Sequence, residues 1–240
     1  MQIPLNSIST TSWDGGVLIL GITDENLEEQ LKQIEALSEI PIVNALKEST
    51  FKAKPGEKIS FQWIQGSIKK LVLVGLGKLE DLTINDLRKA TAIGIKASIG
   101  YSEKLGIKLP WDAFDAESAS KAVCESARLS LFKDLRFKSE PEPIKFPEKI
   151  ELIGLPKLTT SLILEIEAIC AGVEFARELV GAPPNSLTPK VLSEEAINLA
   201  NEYNLEVTVL GEAECKSKGM GAYLAVAKGS DLEPKFIHLT

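Results

Sequence analysis

The 240-residue chain is 44% apolar and 25% charged, the proportions of an ordinary folded protein rather than a disordered, collagen-like or low-complexity one. Residues 161–240 carry 6 basic against 12 acidic side chains, whereas residues 1–160 carry 21 against 22, so the net charge of −7 sits almost wholly in the C-terminal third. That imbalance argues against a nucleic-acid surface there, because phosphate binding needs clustered cations.

The beginning, Met1-Gln-Ile-Pro-Leu-Asn-Ser-Ile-Ser9, lacks the basic-then-apolar pattern of a secretory leader, and no apolar run is long enough to span a bilayer. Val17–Ile22, preceded by Gly15-Gly16, reads as a buried strand. Asp24 is placed to cap a following helix whose Leu27, Leu31, Ile34 and Leu37 share one stripe. Lys54-Pro-Gly56 turns the chain into a strand over Lys58–Trp63. Leu71-Val-Leu-Val74 is apolar on both faces, as a central strand covered by helices on each side should be. Thr83-Ile-Asn-Asp86 opens a helix in capping-box fashion. A strand is expected over Ile107–Trp111 and a helix over Ala116–Phe132. A charged, proline-punctuated loop then covers Lys138–Glu148, before the strand Ile150–Ile153. Strands alternating with helices imply an α/β domain with a mostly parallel sheet. No internal repeat is present.

After Thr160, the residues Leu162, Ile166, Ile169, Val173, Ala176 and Val180 form an apolar seam at spacings of four and three. Ile163, Leu164, Phe175 and Leu179 widen it, which predicts a helix buried on more than one side, wedged between two lobes. The domain boundary is placed near Pro156, giving an N-terminal domain over 1–156 and a second segment over 157–240. The seam ends at Val180-Gly181, and glycine enters the left-handed region without a Cβ penalty. Pro183 and Pro184 forbid continuation, and Thr188-Pro189 reads as an N-cap with proline in the first turn. A helix to about Asn204, the alternating strand Leu205–Leu210, a short charged helix, Lys218–Ser230 and the strand pattern Lys235–Thr240 complete the chain.

Arg177-Glu-Leu-Val-Gly-Ala-Pro-Pro-Asn-Ser-Leu-Thr-Pro189, followed through one helix and one strand by Lys218-Gly-Met-Gly-Ala-Tyr-Leu-Ala-Val-Ala-Lys-Gly-Ser230, resembles the start of the catalytic domain in the leucyl aminopeptidase (cytosol aminopeptidase) family. The resemblance is close over Ala176–Ser230. It extends upstream, more loosely, through Lys70–Lys78 and Ala127–Lys138. Ala182-Pro183-Pro184 departs from the commoner Glu-Pro-Ala spelling, inside a turn. The resemblance implies an N-terminal α/β lobe similar to macro domains, a long connecting helix, and an α/β metallo-exopeptidase lobe. It further implies two divalent metal ions (zinc or manganese), peptide substrates cleaved at the N-terminus, and a cytoplasmic hexamer. The family's metal-binding segments, a lysine-bearing Gly-rich stretch and an N-T-D-A-E-G-R-like stretch, do not occur in these residues. The expected reading is therefore a complete N-terminal domain plus the opening of a catalytic one. No catalytic, cofactor-binding or metal-ligating role is assigned between residues 1 and 240, and no bound metal is expected on them.

Other constellations each have a structural explanation. Gly75-Leu-Gly-Lys78 invites a phosphate loop, since Gly-rich turns cradle anions, but it has neither nucleotide-binding spacing; release of the chain from a strand explains it better. Asp112, Asp115 and Glu117 could do acid–base chemistry, yet acidic residues at a helix start complement the helix dipole. His238, the single histidine, has no partner ligands around it in the sequence. Lys133, Arg136 and Lys138 with Phe132 and Phe137 read as a solvated surface over two core aromatics, with DNA contact as the lesser alternative. Cys124, Cys170 and Cys215 have no metal or disulfide spacing and read as reduced, packing thiols of a cytoplasmic protein. The reading of a different class is a non-catalytic macro-like module that binds a nucleotide, nucleic acid or partner subunit.

Overall fold

The computed structural model describes residues 5–8, 13–38, 40–47, 49–62, 66–101, 104–141, 143, 145–155 and 158–240, with the backbone alone at 5–8 and 37–38. Pro156 and Trp63 lie outside the described residues. By compactness the chain divides into two units, Met1–Phe175 and Ala176–Thr240.

The first unit is built on six strands: β1 Leu5–Ile8, β2 Val17–Thr23, β3 Lys58–Gln62, β4 Lys70–Gly77, β5 Leu105–Lys108 and β6 Ile150–Ile153. They lie side by side in the order β1-β6-β5-β2-β4-β3. Every neighbouring pair is parallel except β3 on β4, which confirms the expected α/β class with a mostly parallel sheet. Helices α1 Leu27–Ser38, α2 Ile42–Lys47, α3 Ile84–Ser98 and α4 Ala116–Leu131 supply the covering layers.

Period-two alternation decides which layer covers which side chain. Val17 and Ile19 of β2, with Val72 and Val74 of β4, face Leu87, Ala90 and Val123 of α3 and α4. Leu18, Leu20, Ile22, Leu71 and Leu73 point the other way, toward Leu31, Ile42 and Leu46 of α1 and α2. All eight residues of β4 are buried, as a strand sandwiched between helices requires. Each of its fully buried aliphatic side chains contributes about 1.5–3 kcal/mol of transfer free energy.

Several expectations are corrected by geometry. Helix α1 starts at Leu27, with the Asn26 carbonyl receiving the Glu29 and Gln30 amides; Asp24 instead donates its amide to the Gly77 carbonyl at 3.0 Å. The strand expected over Ile107–Trp111 begins at Leu105 and stops at Lys108. Pro110 has no amide for a ladder, and Trp111 enters a short 3-10 turn over Trp111–Ala113, where its indole donates to the Ile153 carbonyl at 3.0 Å. The sequence pattern predicts neither strand β1 nor helix α2.

Helix α5, Thr160–Gly181, runs across the division between the units. One flank of its first part packs on α4: Arg128 clamps Glu174 at 2.7 and 3.0 Å, and Lys121 pairs with Glu165 at 2.9 Å. Only Ile166 and Cys170 are fully buried. Leu164, Ile169 and Val180 are exposed, so the expected burial on several sides is not met by the described residues. The apolar seam is wider than the single flank that α4 covers.

The second unit continues with α6 Pro189–Tyr203, β7 Val207–Leu210, α7 Glu212–Ser217, α8 Gly221–Ala227 and β8 Phe236–Leu239. The expected cap holds: the Thr188 hydroxyl accepts the Val191 amide at 3.3 Å, with Pro189 in the first turn. Asn204 closes α6 in the left-handed region at φ 55°, a conformation that asparagine tolerates better than most side chains. β7 and β8 form a two-stranded antiparallel ladder from Val207–Leu239 to Leu210–Phe236. The Tyr223 and Phe236 rings meet edge to face, with centroids 6.0 Å apart.

Candidate functional site

The residues singled out in the sequence do not converge on one chemical centre. Gly75 and Gly77 end β4, and their amides are already engaged: Gly75 donates to Glu57 O and Gly77 to Ala53 O, both at 2.8 Å. A Cβ on Gly75 would lie 2.3 Å from the Lys54 carbonyl oxygen, so glycine is there to let two backbone segments touch. Gly77 adopts φ +73°, beside Pro55. These amides have no free direction in which to cradle a phosphate.

The acidic trio separates in the same way. Asp115 is the N-cap of α4, accepting the Ser118 amide at 2.9 Å, and that hydrogen bond holds its carboxyl below the ordinary value. Glu117 pairs with Lys121 at 2.9 Å. The Asp112 side chain, on the turn before α4, has no ion pair or hydrogen bond among the described residues. Of the basic patch, Arg136 is held by Asp134 at 2.8 and 2.9 Å and lies 5.3 Å over the Phe137 ring. The guanidinium drives the Asp134 carboxyl down to about 2. The two aromatics are not core: Phe137 is exposed and Phe132 only half-buried, because the chain after α4 runs along the surface.

His238 is exposed on β8, opposite Thr208. Cys124, Cys170 and Cys215 are free and buried. Burial, with Cys170 and Glu125 nearby, pushes the Cys124 thiol up to about 12, far from the thiolate a nucleophile needs. Among the described residues no group of three or more His, Cys, Asp or Glu side chains comes together as a metal site.

Two buried charges had no clear signal in the sequence. Glu151 on β6 receives the Trp13 indole N–H at 2.9 Å and the Lys149 ammonium at 2.6 Å. Burial pushes its carboxyl up, but these donors prevail and hold it below its ordinary value. Lys70 at the start of β4 donates to the Ala97 carbonyl at 2.6 Å and lies 4.8 Å over the Tyr101 ring; burial, then the Lys58 charge, lowers its pKa. Both are fully partnered, and neither faces a reactive neighbour.

A hollow of about 380 Å3 runs along β2, from Trp13, Leu18 and Ile68 to Thr23, and opens between the carboxyl ends of β2 and β5. Leu18, Leu20, Ile34 and Ile153 line it, Trp13 forms one wall, and Lys108 and Asp112 stand among its lining residues. No motif marks it in the sequence. The one available signal was Gly21 within an otherwise bulky buried strand, where a Cβ would lie 2.6 Å from the Leu109 side chain.

Comparison with known proteins places this arrangement. Residues 19–141 match the model for the cytosol aminopeptidase family, N-terminal domain, and residues 174–240 match the model for that family's catalytic domain. The whole chain is 50% identical to a probable cytosol aminopeptidase of Prochlorococcus marinus strain MIT 9313, covering 49% of that protein. It is 43% identical to a protein of the same description from Synechococcus strain CC9311, again covering 49%. The chain thus spans about half the length of the curated relatives it matches. Among solved structures, a variant of tomato leucine aminopeptidase superposes with a TM-score of 0.85 at 29% identity, over 99% of this chain and 50% of that one. The bottromycin maturation enzyme BotP, solved in complex with Mn, matches with a TM-score of 0.68 at 22% identity, over 93% of this chain and 44% of that one. The last likeness is one of fold.

Proposed function

The chain belongs to the cytosol aminopeptidase family, and from that premise we propose that it forms the N-terminal lobe and the opening of the catalytic lobe of a dinuclear-metal aminopeptidase. The complete enzyme would release N-terminal residues such as leucine from peptides, in the cytoplasm and as a homo-oligomer. What carries this reading is the collinear match to both family domains, in family order and across the full 240 residues of the 50%-identical relative. The 240 residues by themselves are scaffold. Asp115, Glu117, Asp134 and Glu174 serve as a cap or ion-pair partners, and no described cluster offers a donor set for two ions.

The test is a gain of function. Joining residues 1–240 to the C-terminal half of the Prochlorococcus marinus relative should yield a metal-dependent hydrolase of leucine p-nitroanilide. A well-folded chimera with no such activity would defeat the proposal. A second reading, a ligand-binding role for the first lobe, is favoured by the hollow at the carboxyl ends of β2 and β5.

A further inference from the structure

The hollow in the first unit has a topological cause. From β2 the chain passes to α1, whose Leu31 packs with Leu18 and Leu20 on one face of the sheet. From β5, the adjacent parallel strand, it passes to α4, whose Ala119 and Val123 pack with Ile107 on the opposite face. Neighbouring strands whose following helices take opposite faces part at their carboxyl ends and leave a crevice, the usual place for a ligand in an open α/β sheet. Gly21, Ile22 and Thr23 of β2, with Leu109 and Pro110 after β5, line this one. Its volume of about 380 Å3 lies at the small end of the range for ligand sites, which suits an amino acid or dipeptide better than a dinucleotide.

The lining narrows the chemistry further. Leu18, Leu20, Ile34 and Ile153 supply an apolar surface. Lys108 and Asp112, both exposed lining residues, are of opposite sign, and neither side chain has an ion pair or hydrogen bond among the described residues. One cation balanced by one anion is a poor seat for a phosphate, which needs converging positive charge or free amides. It is complementary to a molecule carrying one charge of each sign. Thr23 adds a donor. Its hydroxyl accepts from the Gln30 amide at 2.9 Å, leaving the hydroxyl hydrogen available, and Gln30 is fixed as a wall by further bonds to Thr23 and Glu25.

We propose that this crevice binds a small zwitterion with an apolar side chain, a free amino acid or a dipeptide. Lys108 and Thr23 would take its carboxylate, Asp112 its ammonium group, and the leucine and isoleucine lining its side chain. If the peptidase reading holds, a released amino acid is one such ligand, but the assignment rests on the crevice alone and its test requires no turnover.

The experiment is calorimetric titration of the 240-residue chain with L-leucine and with L-leucyl-L-leucine, alongside leucinamide, N-acetylleucine, inorganic phosphate and AMP. Saturable binding of either zwitterion is expected, in the millimolar range or tighter, weakened about tenfold or more (about 1.4 kcal/mol per tenfold) when one charge is blocked. Binding of leucine alone identifies the free amino acid as the ligand, and binding of the dipeptide alone identifies the peptide. Lys108→Ala and Asp112→Ala, both at exposed positions, should each weaken binding while leaving the circular dichroism spectrum unchanged. The proposal is overturned by no saturation with either zwitterion at about 10 mM, by equal affinity for leucinamide and N-acetylleucine, by stronger binding of phosphate or AMP, or by unchanged affinity in both folded variants.

Discussion

The two units differ in how far they cover their own apolar side chains. In Met1–Phe175 the sheet is closed on both faces, and Leu71, Leu73, Leu87 and Ile107 are fully buried. In Ala176–Thr240 the only buried apolar residues among those described are Ala200, Leu210 and Cys215, while Val180 and Val226 are 88% and 87% exposed. The β7–β8 ladder is covered by α6 and α7, but the apolar surface left open marks a place where other protein docks. Among the described residues, the first unit therefore encloses a core of its own, and the second leaves more of its apolar surface open.

The contrast can be broken most forcefully in the first core. Ile107→Ala should cost about 2–5 kcal/mol, measured by urea denaturation followed by far-UV circular dichroism. A loss near zero would mean that the sheet is not the stabilising centre. Gly75→Ala should cost about 1–3 kcal/mol, because the new methyl meets backbone oxygen of Lys54 rather than a movable side chain. A neutral result would show that the Ala53–Gly56 segment yields freely.

A pH titration sharpens the comparison. The folded-state pKa of Glu151 lies below its ordinary value of 4.5, so its contribution is complete above that value. It is lost as the pH falls through the folded-state pKa. Glu151→Gln should flatten this acid limb of stability, with urea denaturation at several pH values as the readout; an unaltered limb would assign the acid sensitivity to other carboxylates. The smallest effect is expected in the second unit, where Val226→Ser should change stability by less than about 0.5 kcal/mol, checked by the same denaturation curves. A large loss would show that this surface is covered after all.

Local rules made much of the fold legible. Alternation and helical periodicity found β2, β4, β6, α4 and α6, and side-chain chemistry found the Thr188 cap and the Thr83–Asp86 box, in which the Asp86 carboxylate accepts the Thr83 amide at 3.1 Å. What failed was decided at a distance. Strand β1 pairs with β6 across more than a hundred residues, and four residues carry too little pattern to declare themselves. Helix α2 is six residues long, below the reach of a periodicity argument. Trp111 left its expected strand for the carbonyl of Ile153, forty-two positions away. The crevice was invisible for the same reason, since its walls come from β2, α1, β6 and the turn after β5, and no short motif spans them. The family motif at Arg177–Pro189 was legible because capping and helix termination are written in consecutive residues.

The role proposed for these 240 residues is that of an aminopeptidase framework rather than its reacting centre. Its most direct test is steady-state hydrolysis of leucine p-nitroanilide by the purified chain, titrated with Mn2+ and with Zn2+ and paired with measurement of bound metal. No rate above the metal-and-buffer control and no stoichiometric tight binding of two ions are expected. Saturable, metal-dependent turnover that copurifies with the chain and is abolished by chelation would contradict it.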